Sequence, residues 1–239
     1  MERPRRPLVI AHAACKGHAP ENTLAGLRAA LSLRVDAIEI DVRGSRDGVP
    51  VLMHDETVDR TTNGTGPVRG LTAAELAALD AGNGEPVPTL AQALAAVGRD
   101  ARLFVEIKEP GVEEAVLREI RRAGAADAAI HSFSRRVIAR VKELAPRFPC
   151  ALITGDLPPE GRERFFADAL HLQAEAVSVH YSSLDAETVA AAHAHDLLCF
   201  AWTADDPAEV VRLLDAGVDG VISNYPERVR DALRARRGR

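Results

Sequence analysis

A small set of side chains carries most of the chemistry open to this sequence: His12, Glu39, Asp41, His54, Glu106, Lys108, His180, Trp202 and Asn224. Each falls at or just past the end of a short apolar run that reads as a β-strand. Glu39 and Asp41 are two apart, so on a strand they point to the same side; Glu106 and Lys108 share that spacing. Ile38, Ile40 and Val42 alternate with the two acids and bury the opposite face. The carboxylates therefore turn inward, where charge needs a partner.

Three carboxylates without a cysteine are hard oxygen ligands, suited to Mg²⁺ or Ca²⁺ rather than zinc. Crowded together without a cation, they would rise in pKa and cost stability. A divalent ion beside Lys108 can hold a phosphate and neutralise developing charge. His12 and His54 can divide acid and base roles, because an unperturbed imidazole titrates at ~6.5, near working pH.

The elements that must position these groups alternate in type. Strands are expected over Leu8–His12, Ala37–Val42, Pro50–His54, Arg102–Lys108, Ala128–Phe133, Cys150–Thr154, Ala176–His180, Leu197–Thr203 and Gly220–Ser223. Helical spacing marks Asn22–Leu33, Ala73–Leu79, Thr89–Val97, Glu113–Ala123, Arg136–Leu144, Ala186–Ala194 and Pro207–Ala216, the last closed by Gly217. Strands separated by helices imply βαβ units and a parallel sheet. With 239 residues, the count favours an α/β fold of the TIM (β/α)8 barrel type, whose active site gathers at the strand C-termini. No Gly-x-Gly-x-x-Gly follows the first strand, which weakens a dinucleotide-binding reading.

Two places break the rhythm. Only Arg43–Val49 joins the second and third strand candidates, too short for a helical crossover, so one strand is expected to be irregular or antiparallel. Nine strand candidates also exceed the eight places of a barrel. The segment from Asp55 to Pro88 is polar and rich in Thr, Gly and Pro, and reads as an insertion with one short helix.

Composition narrows the function classes. Thirty Lys and Arg against 35 Asp and Glu give a net charge of -5, which argues against a general nucleic-acid binder. Aromatics make up 4%, too few for a base-stacking platform. Hydrophobic residues at 46% suffice for a large core. Cys15, Cys150 and Cys199 are scattered and odd in number, as expected in a reducing compartment. Cys15 has no evident base beside it and is not read as a nucleophile. No apolar run reaches membrane-spanning length, and the basic start, Met1–Pro7, leads into no cleavage region. The expectation is a cytoplasmic protein without stable membrane insertion, folded as one domain over residues 1–239 with the insertion at about 55–88.

Longer motifs sharpen the reading. Ile10–Thr23 is IAHAACKGHAPENT, Ile38–Val42 is IEIDV, Arg46–Thr62 is RDGVPVLMHDETVDRTT, and Val105–Lys108 is VEIK. AWTAD follows near Trp202 and VISNYP near the end. This ordered set, spread over essentially the whole chain, resembles the glycerophosphodiester phosphodiesterase family.

The resemblance implies a distorted TIM barrel with a small insertion after the third strand. It implies metal ligation by Glu39, Asp41 and Glu106, commonly of Mg²⁺ or Ca²⁺, acid–base catalysis by His12 and His54, and phosphate contact by Lys108. The implied activity is hydrolysis of a small-molecule glycerophosphodiester to glycerol 3-phosphate and an alcohol, by a route in which the substrate's own hydroxyl attacks through a cyclic phosphate.

The chain departs from the family at two places. The family's first motif is His-Arg-Gly, but here His12 is followed by Ala13 and Ala14. Alanine cannot replace a bidentate guanidinium; Lys16 and His18 lie in the same loop and could supply positive charge, though a lysine is only a point charge. Asn224 stands where the family more often has Asp. Two other readings therefore stay open: a barrel that binds a phosphoglycerol or a metal without catalysis, and a lysophospholipase D-type enzyme with a larger substrate. An isomerase or aldolase barrel is more distant, since it would need a base or Schiff-base lysine without this acidic set. Trp202 and His180 are expected to shape the substrate pocket, with Lys16 nearby. His131, His171, His193 and His195 read as ordinary surface or helix residues, and Arg228–Arg239 as a frayed, solvated helix end.

Overall fold

The structure is a computed structural model and describes residues 3–124 and 127–237. The first half of the chain runs β1 (Leu8–Ala11), α1 (Leu24–Ser32), β2 (Ala37–Gly44), β3 (Pro50–Leu52), α2 (Ala73–Ala77), α3 (Leu90–Val97), β4 (Arg102–Ile107) and α4 (Glu113–Arg122). It continues with β5 (Ala128–Ser132), α5 (Arg135–Leu144), β6 (Cys150–Thr154), α6 (Arg162–His171), β7 (Ala176–His180) and α7 (Ala186–Ala194). β8 (Leu198–Trp202), α8 (Pro207–Ala216), β9 (Gly220–Ser223) and α9 (Pro226–Arg237) complete it.

All strands but β3 pair in parallel around a ring in the order β1, β9, β8, β7, β6, β5, β4, β2, and the β1–β2 pairing closes it. The chain is thus a TIM barrel of eight parallel strands wrapped by helices. β3 is the supernumerary strand. It pairs antiparallel with β2, Val42 opposite Leu52 and Gly44 opposite Pro50, and lies outside the barrel. The short connection dictates this, because it is long enough only for a turn, made through Gly48 at φ 74°. β3 also stops at Leu52, so Met53 and His54 leave the strand expected for them.

Alternation along each strand sorts the core into two shells. Val9, Ala11, Ile38, Ile40, Val105 and Ile107 face the helices. Ile10, Ala37, Phe104, Ala129, Phe200 and Ile222 fill the barrel interior. On β2, β4, β5 and β7 the inward apolar stack gives way towards the C-terminal end to a buried polar residue, Glu39 and Asp41, Glu106, His131 and Ser178, which puts the chemistry at one mouth of the barrel. The insertion after β3 builds a satellite core from Val51, Met53, Val58, Val68, Leu76 and Val87.

Helix starts follow local capping. Thr89 and Gln92 form a reciprocal capping box at α3, and Asp206 caps α8 ahead of Pro207. Two helices exceed what spacing alone indicated. α6 carries charges through RERFFADALH, and its buried stripe is only Phe165, Phe166 and Ala169. α9 is a regular helix rather than a frayed end: Val229 is buried in the main core, and Arg230 donates to the Leu33 carbonyl oxygen. Residues 238–239 of that tail lie outside the described residues. Among the described residues, no helix is long and apolar enough to cross a membrane.

The loop between β1 and α1 begins at His12 and is held in an uncommon conformation. Ala13, Ala14 and Cys15 all take positive φ, at 45°, 56° and 73°. Such backbone costs roughly 1–3 kcal/mol per non-glycine residue and persists only where the surroundings enforce it. The Ala13 N–H donates to Glu39 Oε2 at 2.8 Å, and the Ala14 N–H donates to the Glu39 carbonyl at 2.9 Å. Gly26 of α1 presses on this loop, and a Cβ there would stand 2.1 Å from the Ala14 carbonyl oxygen. Gly26→Ala is therefore expected to destabilise the chain by roughly 1–3 kcal/mol, read as a fall in thermal midpoint; an unchanged midpoint would contradict this packing.

Candidate active site

One residue from each barrel strand or its C-terminal edge lines a pocket at the mouth: His12, Glu39, Glu106, His131, Ile153, Ser178, Trp202 and Ile222. Glu39 and Asp41, successive inward residues of β2, are 4% and 1% exposed, and Glu106 of β4 is 8% exposed. Asp41 and Glu106 sit directly opposite in the β2–β4 register. One carboxylate oxygen from each of the three acids lies within 4.8 Å of the others.

The charges in this cluster are only partly answered. Lys108 Nζ approaches Glu106 Oε1 at 2.6 Å and Asp41 Oδ1 at 3.3 Å. Asn22 is a further support that the sequence patterning did not single out. Its amide donates to Asp41 Oδ2 at 2.7 Å, and its Oδ1 accepts from the Asp41 N–H at 3.0 Å. Glu39 Oε1 is buried with no hydrogen-bond partner. Burial, then the neighbouring Asp41 and Glu106 carboxylates, push Glu39 well above the usual carboxylate range. Burial and Asp41 raise Glu106, with Lys108 opposing. Burial also works against the Lys108 ammonium, yet Asp41 and Glu106 outweigh it and raise its pKa. A buried, unpartnered carboxylate oxygen within an all-oxygen donor set fits a hard divalent cation.

His12 follows β1 and faces this cluster, with Nε2 at 3.9 Å from Glu39 Oε2 and Nδ1 at 2.7 Å from Asn224 Oδ1. Burial lowers its pKa, against the hydrogen bond that Nδ1 makes to Asn224 Oδ1. His54 sits outside the ring of pocket residues, half-exposed on the rim. Its Nδ1 is 2.6 Å from Asp55 Oδ1, and Arg60 holds Asp55 at 2.6 Å and Glu21 at 2.6 Å. His54 lies close enough to the cluster for a positive charge on its ring to oppose the rise at Glu106. The Arg60 bonds, followed by that of His54, hold Asp55 far below the usual carboxylate range.

The remaining expected contacts divide. Trp202 walls the pocket, its Nε1 donating to the Ser178 carbonyl at 3.2 Å. His180 stands on the rim, edge-on to Trp202 with ring centroids 5.2 Å apart and Nδ1 at 2.7 Å from Ser182 Oγ. Lys16 does not line the pocket; its Nζ leans on Glu21 at 3.7 Å. Ala13 gives the site its backbone N–H, donated to Glu39, rather than a charged side chain.

His131 corrects the reading of it as an ordinary surface or helix residue. It is the penultimate residue of β5, 1% exposed, stacked on Phe104 at 4.3 Å, and its Nε2 has no partner. Burial pushes it down to about 3, so it is neutral. Alternation from Ala129, an inward residue, was the signal that placed it inside the barrel. All three cysteines are free and buried, and burial raises Cys15 to about 11, which agrees with its having no nucleophilic role.

Fold and site together define a TIM barrel with a buried carboxylate triad and an adjacent histidine at its C-terminal mouth. Comparison with known proteins makes the class specific. The glycerophosphoryl diester phosphodiesterase family profile matches residues 12–228, and the chain belongs to that family. A glycerophosphodiester phosphodiesterase of Caldanaerobacter subterraneus is 34% identical, across 96% of this chain and 98% of its own. A crystal structure of a putative glycerophosphoryl diester phosphodiesterase from Silicibacter pomeroyi superposes with a TM-score of 0.88 at 27% identity, covering 98% of this chain and 95% of that one. An Oleispira antarctica phosphodiesterase, solved with its product sn-glycerol-3-phosphate, gives a TM-score of 0.86 at 31% identity, covering 96% and 97%.

Lys108 is the only lysine or arginine within 4.0 Å of the three carboxylates among the described residues. Lys108→Met in chelator should lose up to about 3–5 kcal/mol, because it strands buried charge. Mg²⁺ or Ca²⁺ should raise its thermal midpoint more than that of the parent chain. Equal midpoints in chelator would contradict the electrostatic coupling described.

Proposed function

We propose that the chain hydrolyses glycerophosphodiesters to sn-glycerol 3-phosphate and an alcohol, using a divalent cation, Mg²⁺ or Ca²⁺, on Glu39, Asp41 and Glu106. The observation that carries the reading is the buried carboxylate triad with its unpartnered Glu39 oxygen, set beside Lys108 and His12. Family membership and a relative that holds sn-glycerol-3-phosphate support the substrate class. We also read residues 1–239 as one catalytic domain.

A cation held by the triad would neutralise charge building on the phosphate oxygens. Lys108 already stands against two of the three acids, and in this reading its ammonium turns to a phosphate oxygen. His12 accepts the proton of the attacking oxygen through Nε2, the ring nitrogen on the cluster side. His54 delivers a proton to the leaving alcohol, its ring oriented by Asp55. Trp202 packs against the glycerol portion, and His180 meets the alcohol group at the rim. Lys16 adds positive potential beside His12 without direct entry to the pocket.

The test is release of sn-glycerol 3-phosphate from glycerophosphocholine and glycerophosphoethanolamine. Positioned acid–base groups contribute about 10²–10⁴-fold, so His12→Ala and His54→Ala should each lose that much turnover while remaining folded. Full turnover in His54→Ala would sink the two-histidine scheme. A folded parent chain that hydrolyses neither these nor a wider phosphodiester panel would sink the enzymatic reading.

A further inference from the structure

The bonds around Asn224 define the protonation geometry of His12. Asn224 Nδ2 lies 2.5 Å from Asp205 Oδ2, while the Asn224 N–H and Ser223 Oγ donate to Asp205 Oδ1 at 2.8 and 2.9 Å. Asp205 makes no ion pair within 4.0 Å among the described residues; its carboxylate is engaged by neutral donors. Ala204 N–H donates to the Ile222 carbonyl at 3.1 Å, and Arg228 donates to the Asp205 carbonyl at 2.7 Å, so the loop after β8 is tied to the end of β9.

Donor and acceptor logic then runs in one direction. An ionised carboxylate only accepts, so the amide end facing Asp205 is the NH₂ group. The Asn224 oxygen therefore faces His12 Nδ1 at 2.7 Å. That oxygen only accepts, so Nδ1 carries the proton. A neutral imidazole has one N–H, which leaves the lone pair on Nε2, directed to the carboxylate cluster. We propose that Asp205 is a positioning residue that sets the tautomer of His12 through Asn224 and so makes Nε2 the proton-accepting atom. Its catalytic consequence rests on the phosphodiesterase reading; the tautomer itself does not.

Isosteric exchange tests the chain of bonds. In Asp205→Asn the new amide keeps an oxygen for Ser223 and the Asn224 N–H, but turns an NH₂ on the Asn224 NH₂. Two donors cannot face each other, so the Asn224 amide rotates, its NH₂ meets His12 Nδ1, and the ring proton moves to Nε2. Adding Asn224→Asp restores the pattern: the NH₂ at 205 donates to the carboxylate at 224, which accepts from His12 Nδ1–H. A purely structural loop tie would not move the tautomer in this reciprocal way.

The measurement is ¹⁵N–¹H correlation of the imidazole nitrogens in the full chain, without metal or substrate, at alkaline pH where the rings are neutral. His12→Ala identifies the resonance among the 8 histidines. The parent chain should show Nδ1–H, Asp205→Asn should show Nε2–H, and the double exchange should return to Nδ1–H. In parallel, kcat should fall about 10²–10⁴-fold in Asp205→Asn with KM little changed, and recover to within about tenfold in the double exchange. Nε2–H in the parent chain, or an unmoved Nδ1–H in Asp205→Asn, would overturn the proposal whatever the activity. Should Asp205→Asn not fold, Nε2–H in the double exchange overturns it equally. The expected tautomers in a chain that hydrolyses no phosphodiester would support the positioning proposal and contradict the phosphodiesterase reading.

Discussion

Three carboxylates buried within 4.8 Å of one another are the constraint around which this barrel is organised. Like charges at that range repel and lose hydration together, and no single lysine answers all of them. The structure meets the problem with directed groups. Asn22 takes one oxygen of Asp41, the Ala13 N–H takes one oxygen of Glu39, and Lys108 bridges Asp41 and Glu106. One Glu39 oxygen is left over, and a hard cation is the partner whose chemistry suits it.

The backbone around the cluster is explained by the same need. Strand alternation delivers Glu39 and Asp41 to the barrel interior and sends Ile38 and Ile40 to the helices. The left-handed run Ala13–Cys15 folds the loop after His12 over Glu39, and Gly26 gives it room. A charged hydrogen bond is worth about 1.5–3 kcal/mol, comparable to the cost of one such residue. Strain in the loop is thereby traded for a fixed Glu39 and a fixed His12. On the opposite side, Asn224 and Asp205 complete the setting of that histidine from the ends of β8 and β9.

Much of this was legible because strands obey a period of two. Inward placement of Glu39, Asp41, Glu106 and Lys108 follows from alternation, and the short Arg43–Val49 link pointed to an irregular or antiparallel strand, which β3 is in its antiparallel form. The same rule applied to β5 would have put His131 inside, yet a lone histidine beside Ser132 carried no motif to draw attention to it. Asn22, Ser178 and Asp205 were illegible for a different reason. Asp205 acts on Asn224 and Asn22 on Asp41, each 19 positions along the chain, and only the packing of neighbouring βα units brings these pairs together. α6 was obscured by its charge, since five polar or ionisable positions dilute a stripe of three apolar anchors. Ala13 was legible as a departure, but its consequence was not: the position contributes a backbone donor to Glu39 rather than a side chain to the pocket.

The most direct test of the central claim is cation occupancy measured against turnover. Isothermal titration of the metal-free chain with Mg²⁺ or Ca²⁺ should show one site per chain, lost in Glu39→Gln, and glycerophosphodiester hydrolysis should rise in proportion to its filling. Undiminished turnover in chelator, or binding that survives in both Glu39→Gln and Glu106→Gln, would contradict the account.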